Sequence, residues 1–303
     1  MRHVIRTAAE ADYPAVAELL AAAHPYLLTS AEALSFTRRT AKGEPPLELV
    51  TEVDGRLAAY ASVGQNRFWS QQGALGAQLT VHPDHRRRGI GSAVMDRIEA
   101  HIQALRGTTI GGAAVGPDGL AFAEARGFER LRVNRVSGCR LSALPAPPPA
   151  PAGIRLATYA DFADLRPVYE TAMLAHRDIP GAASRFHWEF EEWRADVVGE
   201  PRFAGELSTV ALDGETVVAL CQVQRLDDRV HTNFTATHPG HRGRGLALLV
   251  KAHALRAAAK AGAANAYTVN DAENAPMLAV NTRLGYRPHV LRYSVRRQDA
   301  VAG

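Results

Sequence analysis

Two short segments rich in arginine and glycine are the residues of this chain best suited to bind a ligand. The first loop reads Arg86-Arg87-Arg88-Gly89-Ile90-Gly91, and the second loop reads Arg242-Gly243-Arg244-Gly245-Leu246-Ala247. Each follows a strand-like segment and opens a helical pattern, so its glycines let the backbone approach a ligand while the first helical N–H groups point outward. Arginine side chains add charge-assisted hydrogen bonds. Both loops therefore predict phosphate or pyrophosphate binding, the alternative being two solvated basic turns.

The pattern of the loops excludes two common phosphate motifs. No Gly-Lys-Ser or Gly-Lys-Thr occurs in the chain, which argues against a P-loop. Gly89-Ile90-Gly91 has no third glycine and follows a hairpin pattern, so it is a poor match to a dinucleotide fingerprint.

The two loops belong to an internal repeat. The eight residues from His82 to Gly89 resemble the eight residues from His238 to Gly245, and six of the eight positions are identical. The two segments are 156 residues apart. Ile5-Arg6-Thr7-Ala8 is answered by Ile154-Arg155-Leu156-Ala157 at a spacing of 149 residues. Between the copies lies a stretch rich in proline, which fits an extended spacer better than a helix or an interior strand. We expect an N-terminal domain at residues 1–144, a linker at residues 145–153 and a C-terminal domain at residues 154–298.

Composition restricts the class of protein. The 303 residues are 47% hydrophobic and 22% charged, as in a globular protein, and a net charge of +4 is too small to indicate a nucleic-acid partner. The two cysteines, Cys139 and Cys221, lack metal-ligand spacing, so we expect no metal and a reducing cytoplasm. Acidic residues near the N-terminus argue against a signal peptide, and the apolar segments are shorter than the ~20 residues of a membrane-spanning helix. The sequence does not specify the oligomeric state.

Periodicity predicts the elements that hold the second loop. Asp161 is a fitting N-cap for an amphipathic helix, and Asp213-Gly214 is a tight turn between two strands. A further strand at residues 229–237 then enters the loop, and a helix follows at about residues 246–260. The first half shows the same succession around Asp54-Gly55.

The pattern Arg-x-x-Gly-x-Gly/Ala after a strand, present twice, resembles the acyl-CoA pyrophosphate loop of the GNAT superfamily of N-acetyltransferases. The resemblance covers nearly all of both halves, including the helix that ends at Arg126-Gly127-Phe128 and again at Leu284-Gly285-Tyr286. It implies an α/β (α+β) fold of two tandem domains, each with a mixed, splayed central sheet flanked by helices. Among tandem members, the chain is most similar to the actinobacterial two-domain type, of which mycothiol synthase is one.

The resemblance also implies which residues hold the co-substrate, acetyl-CoA. The coenzyme would lie in the gap of the splayed sheet, with its pantetheine arm on the strand that precedes the second loop. The implied cofactor-binding residues are Thr235, Ala236, Thr237, Arg242, Gly243, Arg244, Gly245, Leu246, Ala247, Asn270 and Asn274 in the second half, and Val81, Arg86, Arg87, Arg88, Gly89, Ile90 and Gly91 in the first.

Candidate catalytic residues lie in the second half. His231 shares a strand face with Asn233 and is either the base that accepts the amine proton or an ordinary surface histidine. At a spacing of 156 residues the first half has Leu75 there. The family's usual acid is a tyrosine four residues before the helix-ending glycine. This chain has Asn281 at that position, which is able to orient a group or bond the coenzyme sulfur but has no proton to donate at neutral pH, so water or direct thiolate release would replace the acid.

Two acidic residues are candidates for the acceptor side. Glu189 and Glu192 lie on one face of a predicted helix, which in the family borders the acceptor site. They either attract a cationic amine or form a solvated acidic stripe.

These observations predict an acetyl-CoA-dependent N-acetyltransferase. We expect direct transfer to a primary amine of a small molecule in a ternary complex, with the second half as catalyst and the first degenerate. The alternatives are a non-catalytic acyl-CoA-binding or regulatory tandem protein, and a mycothiol-synthase-like enzyme of thiol biosynthesis.

Overall fold

The computed structural model describes residues 3–41, 43–65, 73–177 and 188–298. It divides into two compact units. The first unit comprises Met1–Val133 and Leu291–Gly303, and the second unit comprises Asn134–Val290. Within the described ranges, the structure has no helix that is both long and apolar enough to cross a membrane.

The first half of the chain forms six strands and four α-helices in its described residues. In chain order these are β1 (His3–Thr7), α1 (Tyr13–Ala23), α2 (Ala31–Arg39), β2 (Leu47–Val53), β3 (Arg56–Gln65), β4 (Ala74–Val81), α3 (Ile90–Ala104), β5 (Thr109–Val115), α4 (Gly116–Glu124) and β6 (Glu129–Arg140).

The second half repeats this order. Its elements are β7 (Ile154–Thr158), α5 (Arg166–His176), α6 (Phe190–Trp193), β8 (Thr209–Asp213), β9 (Thr216–Leu226), β10 (Arg229–Thr237), α7 (Leu246–Lys260), β11 (Asn265–Asp271), α8 (Ala275–Arg283) and β12 (Arg287–Gln298). The predicted strand at residues 229–237 and helix at residues 246–260 are confirmed. Asp161 does not cap α5; it accepts a hydrogen bond from the Thr158 backbone N–H, and the helix starts five residues later.

Each unit has a mixed central sheet. The strand order is β1-β2-β3-β4-β5-β12 in the first unit and β7-β8-β9-β10-β11-β6 in the second. One parallel pair in each sheet is short, because β4 meets β5 only at residues 74–76 and β10 meets β11 only at residues 229–231. Beyond these residues the two strands of each pair separate. The expected mixed, splayed sheet flanked by helices is therefore present in both units.

The last strand of each sheet comes from the other half of the chain. Residues 292–298 of β12 pair antiparallel with β5, and residues 134–140 of β6 pair antiparallel with β11. The compact units therefore have different bounds from the expected domains at residues 1–144 and 154–298. A local pattern identifies a strand but not its partner, since the pairing is a contact between residues far apart in sequence.

Helices cover both faces of the second unit's sheet. On one face α7 buries its apolar side against β9, with Leu249, Val250 and Leu255 at most 1% exposed. On the other face α5 and α6 pack through Val168 and Trp193. This arrangement leaves the end of β10, where it separates from β11, between two helical layers.

We expect removal of residues 291–303 to destabilise the first unit, although they end the second half of the sequence. The deletion takes away the partner strand of β5, the buried Val295 side chain and the ion pair between Arg297 and Glu99 at 2.6 Å. Burial of a valine alone contributes about 1.5–3 kcal/mol, so the free energy of unfolding should fall by about 3 kcal/mol or more.

Hydrogen exchange of the β5 amides in a chain truncated after Val290 would measure this effect. A chain truncated after Gln298 is the control and should exchange like the full-length protein. Faster exchange confined to β11 would contradict the observed strand pairing.

Candidate active site

Each basic loop contains the glycine N-cap of a helix of 15 residues. Gly89 and Gly245 are the N-caps of α3 and α7, with φ of 80° and 75°, in the left-handed region that favours glycine. A Cβ built on either would meet nothing within 4 Å, and in the described residues no side chain caps either helix. The N–H groups of both first turns therefore face open space, which fits a phosphate group.

At least one arginine of each loop has a contact within the protein, Arg86 in the first loop and Arg244 in the second. Arg244 forms an ion pair with Asp213 at 3.0 Å, and the Arg86 Nε donates to the Val81 carbonyl at 3.2 Å. A phosphate would therefore compete with these contacts for the Arg86 and Arg244 side chains, but not for the backbone N–H groups of the first helical turns. The first loop is also the more strained of the two, because Arg87 has φ of 59° where Gly243 has 78°. A left-handed conformation costs a residue with a Cβ roughly 1–2 kcal/mol.

A β-bulge distinguishes β10 from β4. The register of β10 with β9 shifts between Thr232 and Phe234, whereas β4 pairs with β3 without a shift. The bulge adds one residue, Asn233, to β10. Before the bulge, the repeat spacing is therefore 155 residues rather than 156. His231 therefore corresponds to Gly76. His231 pairs with Tyr267 on β11, and Gly76 pairs with Gly111 at the equivalent position of β5. The expectation that Leu75 is the counterpart of His231 was wrong.

Six side chains form a polar cluster where β10 and β11 separate. The Lys251 Nζ on α7 donates to the Asn281 Oδ1 at 2.7 Å and to the Thr268 Oγ1 at 3.4 Å. The Asn281 Nδ2 donates to the Asn270 Oδ1 at 2.7 Å. The remaining members are Thr232 and Tyr286, whose hydroxyl oxygens lie 3.2 Å apart. We call these residues the fork cluster: Thr232, Lys251, Thr268, Asn270, Asn281 and Tyr286.

Lys251 is 1% exposed, and none of the ion pairs among the described residues includes it. Burial lowers its pKa to about 8. The other titratable groups that face it are Cys139, Cys221 and Tyr286, and burial raises the pKa of each of these. They are therefore neutral near pH 7, which leaves the ammonium without a compensating anion.

The predicted residues fall into different structural roles. Asn270 and Asn281 belong to the fork cluster, whereas Asn274 caps α8 by accepting from the Met277 N–H at 3.2 Å. Glu189 is the N-cap of α6, and the Glu192 carboxylate accepts from its N–H at 3.4 Å. Thr235, Ala236 and Thr237 end β10, immediately before the second loop.

A pocket of about 230 Å³ opens on the α5 and α6 side of β10. The bulge residue Asn233 lines it together with His176 and Asp196, and the latter accepts from the Trp188 indole N–H at 3.3 Å. Aromatic rings form much of the wall: Trp188, Trp193, Phe203 and Phe234. The wall therefore combines flat apolar surfaces with one carboxylate, which suits a ligand that carries both a positive charge and apolar groups.

Two of the histidines that the structure describes lie on this side of the sheet. His231 is half-buried, and its Nδ1 lies 2.6 Å from the Asn233 Oδ1. His176 contacts the Trp188 and Phe234 rings inside the pocket, and burial lowers its pKa. A neutral imidazole at this place is able to accept a proton. Sequence analysis missed His176, because nothing in the pattern of α5 separates a pocket residue from a packed one.

A family comparison agrees with this geometry. The model of the acetyltransferase (GNAT) family matches residues 13–128 and 165–286, which is most of both halves. The chain belongs to the GNAT family. It is therefore an acetyltransferase, and enzymes of this family use acetyl-CoA as donor.

Relatives with curated names are mycothiol acetyltransferases of actinobacteria. The protein of Clavibacter michiganensis is 28% identical over 262 residues, which span 84% of this chain and 80% of the relative. The protein of Kineococcus radiotolerans is 30% identical over 219 residues, which span 70% of this chain and 68% of the relative.

Solved structures show the same tandem fold. A GCN5-related N-acetyltransferase from Sphaerobacter thermophilus superposes with a TM-score of 0.73 at 22% identity, covering 98% of this chain and 95% of that one. A tandem GNAT protein from the clavulanic acid biosynthesis pathway gives a TM-score of 0.74 at 20% identity and covers both chains completely, at 100%.

We expect Lys251→Met to stabilise the second unit at neutral pH, because it removes a buried, unpaired ammonium. The pKa of Lys251 is about 8 in the fold and near 10.5 in the unfolded chain. Between these values the unfolded state binds the additional proton, so the contribution of Lys251 to stability rises with pH. The advantage of the variant should therefore shrink by about 1.4 kcal/mol per pH unit above pH 8.

Urea unfolding of both proteins between neutral pH and about pH 10 would measure this difference. Cys139, Cys221 and Tyr286 also contribute to the pH dependence of the unfolding free energy. Their contributions are present in both proteins and largely cancel in the comparison. A difference in unfolding free energy that does not change with pH would contradict a lowered pKa for Lys251.

Proposed function

We propose that the second unit transfers the acetyl group of acetyl-CoA to a primary amine of a small molecule. The observation that carries the proposal is the meeting of three features on β10: the second loop at its end, the separation from β11 along its edge, and the aromatic pocket beside its bulge. The coenzyme and the acceptor then approach the same strand from different directions, as direct transfer in a ternary complex requires.

The second unit offers a path for acetyl-CoA. The pyrophosphate would sit on the N-terminus of α7, at Gly245 and Leu246. The pantetheine arm would then run back along Thr237, Ala236 and Thr235, where β10 pairs with β9 and, among the described strands, no longer with β11. Backbone groups on the open edge suit its two amides. Bound there, acetyl-CoA supplies an activated acetyl group, and the protein positions it.

The pocket is our proposed acceptor site. Asp196 would attract a protonated amine, and the aromatic walls would hold its apolar or ring portion. Transfer requires the neutral amine, whose remaining proton must leave as the new bond to carbon forms. His176 in the pocket and His231 beside Asn233 are the candidates to accept it. Glu189 and Glu192 contribute by holding the start of α6.

The first unit would serve as a structural partner. It retains a glycine N-cap and a separated pair of strands, but it has Gly76 at the position of His231 and Ala123 at that of Asn281. A coenzyme bound at the first loop would therefore lie near neither a histidine equivalent to His231 nor an amide equivalent to Asn281.

The names of the relatives suggest a second candidate function. This candidate is the acetyl transfer after which the mycothiol acetyltransferases are named. It rests only on the 26–30% sequence identity between this chain and those relatives. Thiol release from acetyl-CoA with a broad panel of amines would separate the candidates. A protein that binds acetyl-CoA and acetylates no amine would instead support a regulatory role.

We expect Gly245→Asp to weaken acetyl-CoA binding strongly, because a carboxylate would occupy the N–H groups proposed to hold the pyrophosphate and would repel it. Gly245→Asn is the matched control, since asparagine has the same shape, tolerates positive φ and carries no charge. Calorimetry should show a larger loss of affinity for the aspartate variant.

Gly89→Asp provides the corresponding test of the first loop. It should leave turnover within a few-fold of the wild type, whereas Gly245→Asp should abolish it. The reverse result in folded proteins would place the active site in the first unit.

Variants of the two histidines would identify the base. Removal of the base should lower the rate by about 10²–10⁴-fold with little change in acetyl-CoA affinity, and it should remove the acidic limb of the pH–rate profile. We expect this result for either His176→Ala or His231→Ala. Unchanged profiles in both variants would exclude both histidines as the base.

A further inference from the structure

Lys251 is one of three lysines in the chain, and its side chain is buried in the second unit. Its ammonium has hydrogen bonds to Asn281 and Thr268, and among the described residues its third N–H has no oxygen acceptor. The centre of the Tyr286 ring lies 4.9 Å from the same nitrogen. Burial of a charge without a counter-ion is strongly unfavourable, so a role limited to packing does not explain this residue.

The first unit shows that the fold does not need this lysine. Because α3 and α7 start at corresponding glycines, Lys251 corresponds to Met95. Asn281 corresponds to Ala123, since each carbonyl accepts from the aromatic residue after the helix-ending glycine, at 3.0 Å from Tyr286 and 3.2 Å from Phe128. The remaining counterparts are also apolar: Ala77, Gly112, Ala114 and Phe128. The polar cluster is therefore specific to the second unit.

The fork cluster lies where the thiol end of the coenzyme would be. The Thr268 Oγ1 donates to the Thr232 carbonyl at 3.2 Å, just after the last parallel pair of β10 and β11. From Thr237 back to Asn233, β10 covers about 13 Å at about 3.3 Å per residue. A pantetheine arm that starts at the second loop and follows β10 over this length brings its sulfur to the fork cluster.

We propose that Lys251 is the acid of the reaction, with its third N–H directed at the coenzyme sulfur. The inference rests on the proposed function, since it requires acetyl-CoA in the second unit. It gives Asn281 the role of a positioning residue, which holds the ammonium through its Oδ1 and is itself held by Asn270.

The step balances as follows. The amine nitrogen forms a bond to the acetyl carbon and loses its proton to the base, and the carbon–sulfur bond breaks with its electron pair on sulfur. The Lys251 ammonium stabilises this thiolate while CoA is bound and transfers a proton to it as CoA leaves, and the neutral amine that remains regains a proton from solvent. Burial supports the transfer, because it lowers the pKa of Lys251 to about 8, near that of an ordinary thiol at about 8.5.

The thiol of bound CoA provides a test that needs no acceptor. Thiolate absorbance in the ultraviolet would be followed against pH for the complex with CoA, and the complex with desulfo-CoA would be subtracted to remove the signal of the protein's own cysteines. We expect the bound thiol to titrate at least about one pH unit below free CoA, a tenfold change in acidity, because an ammonium faces it.

Lys251→Met copies the residue of the first unit and should abolish this shift while CoA still binds. Lys260→Met removes an exposed lysine from the same helix and should retain the shift. A thiol in the wild-type complex that titrates like free CoA would overturn the inference, whereas absence of CoA binding to the second unit would overturn the proposed function. The two failures are therefore distinguishable.

Kinetics give a second measurement. We expect Lys251→Met to lower kcat by about 100-fold or more, to keep KM for acetyl-CoA within a few-fold, and to lose the alkaline limb of the pH–rate profile. A variant that loses coenzyme affinity and keeps the alkaline limb would show a merely structural role.

Discussion

Parallel strands that separate must leave backbone groups without a ladder partner, and this constraint governs the second unit. β10 and β11 share three residue pairs and then diverge, so the edge of β10 beyond His231 needs another source of hydrogen bonds. The bulge at Asn233 accompanies this divergence and places Asn233 in the wall of the aromatic pocket. The glycine-capped helix that follows supplies a second set of free N–H groups. The second half of β10 thus has polar backbone groups along one edge, which suits a long, polar ligand.

The two units show how one fold accommodates different interiors. In the first unit, the positions around the separating strands are filled by Met95, Ala114, Ala123 and Phe128, and the interior is apolar. In the second unit, the corresponding positions hold an ammonium, two amides and hydroxyl groups that are hydrogen-bonded to one another. A polar interior of this kind contributes less to stability than an apolar one. Such interiors are common where a protein binds a charged or reacting group.

Sequence analysis was most successful for local features. The loops, the helix after Gly245 and the strand before it follow from glycine placement and periodicity, which act within a few residues. It failed for Leu75 because a bulge of one residue leaves no mark in the pattern of β10, and it missed the exchanged strands because pairing joins residues far apart in sequence. Lys251 was detectable from the sequence, because a lysine stands among the apolar positions of α7 where the first half has Met95. The pocket around His176 had none, because it is assembled from segments of four different elements.

The exchange of terminal strands affects the order in which the protein is able to fold during synthesis. Domains generally fold as units from the N-terminus while the ribosome is still elongating the chain. The sheet of the first unit, however, lacks its sixth strand until residues 292–298 have been translated. Its β5 therefore remains an unprotected edge through the synthesis of the whole second half, a period in which such edges promote misassembly. The sheet made first therefore depends on residues 292–298, and a premature stop near residue 290 would damage it.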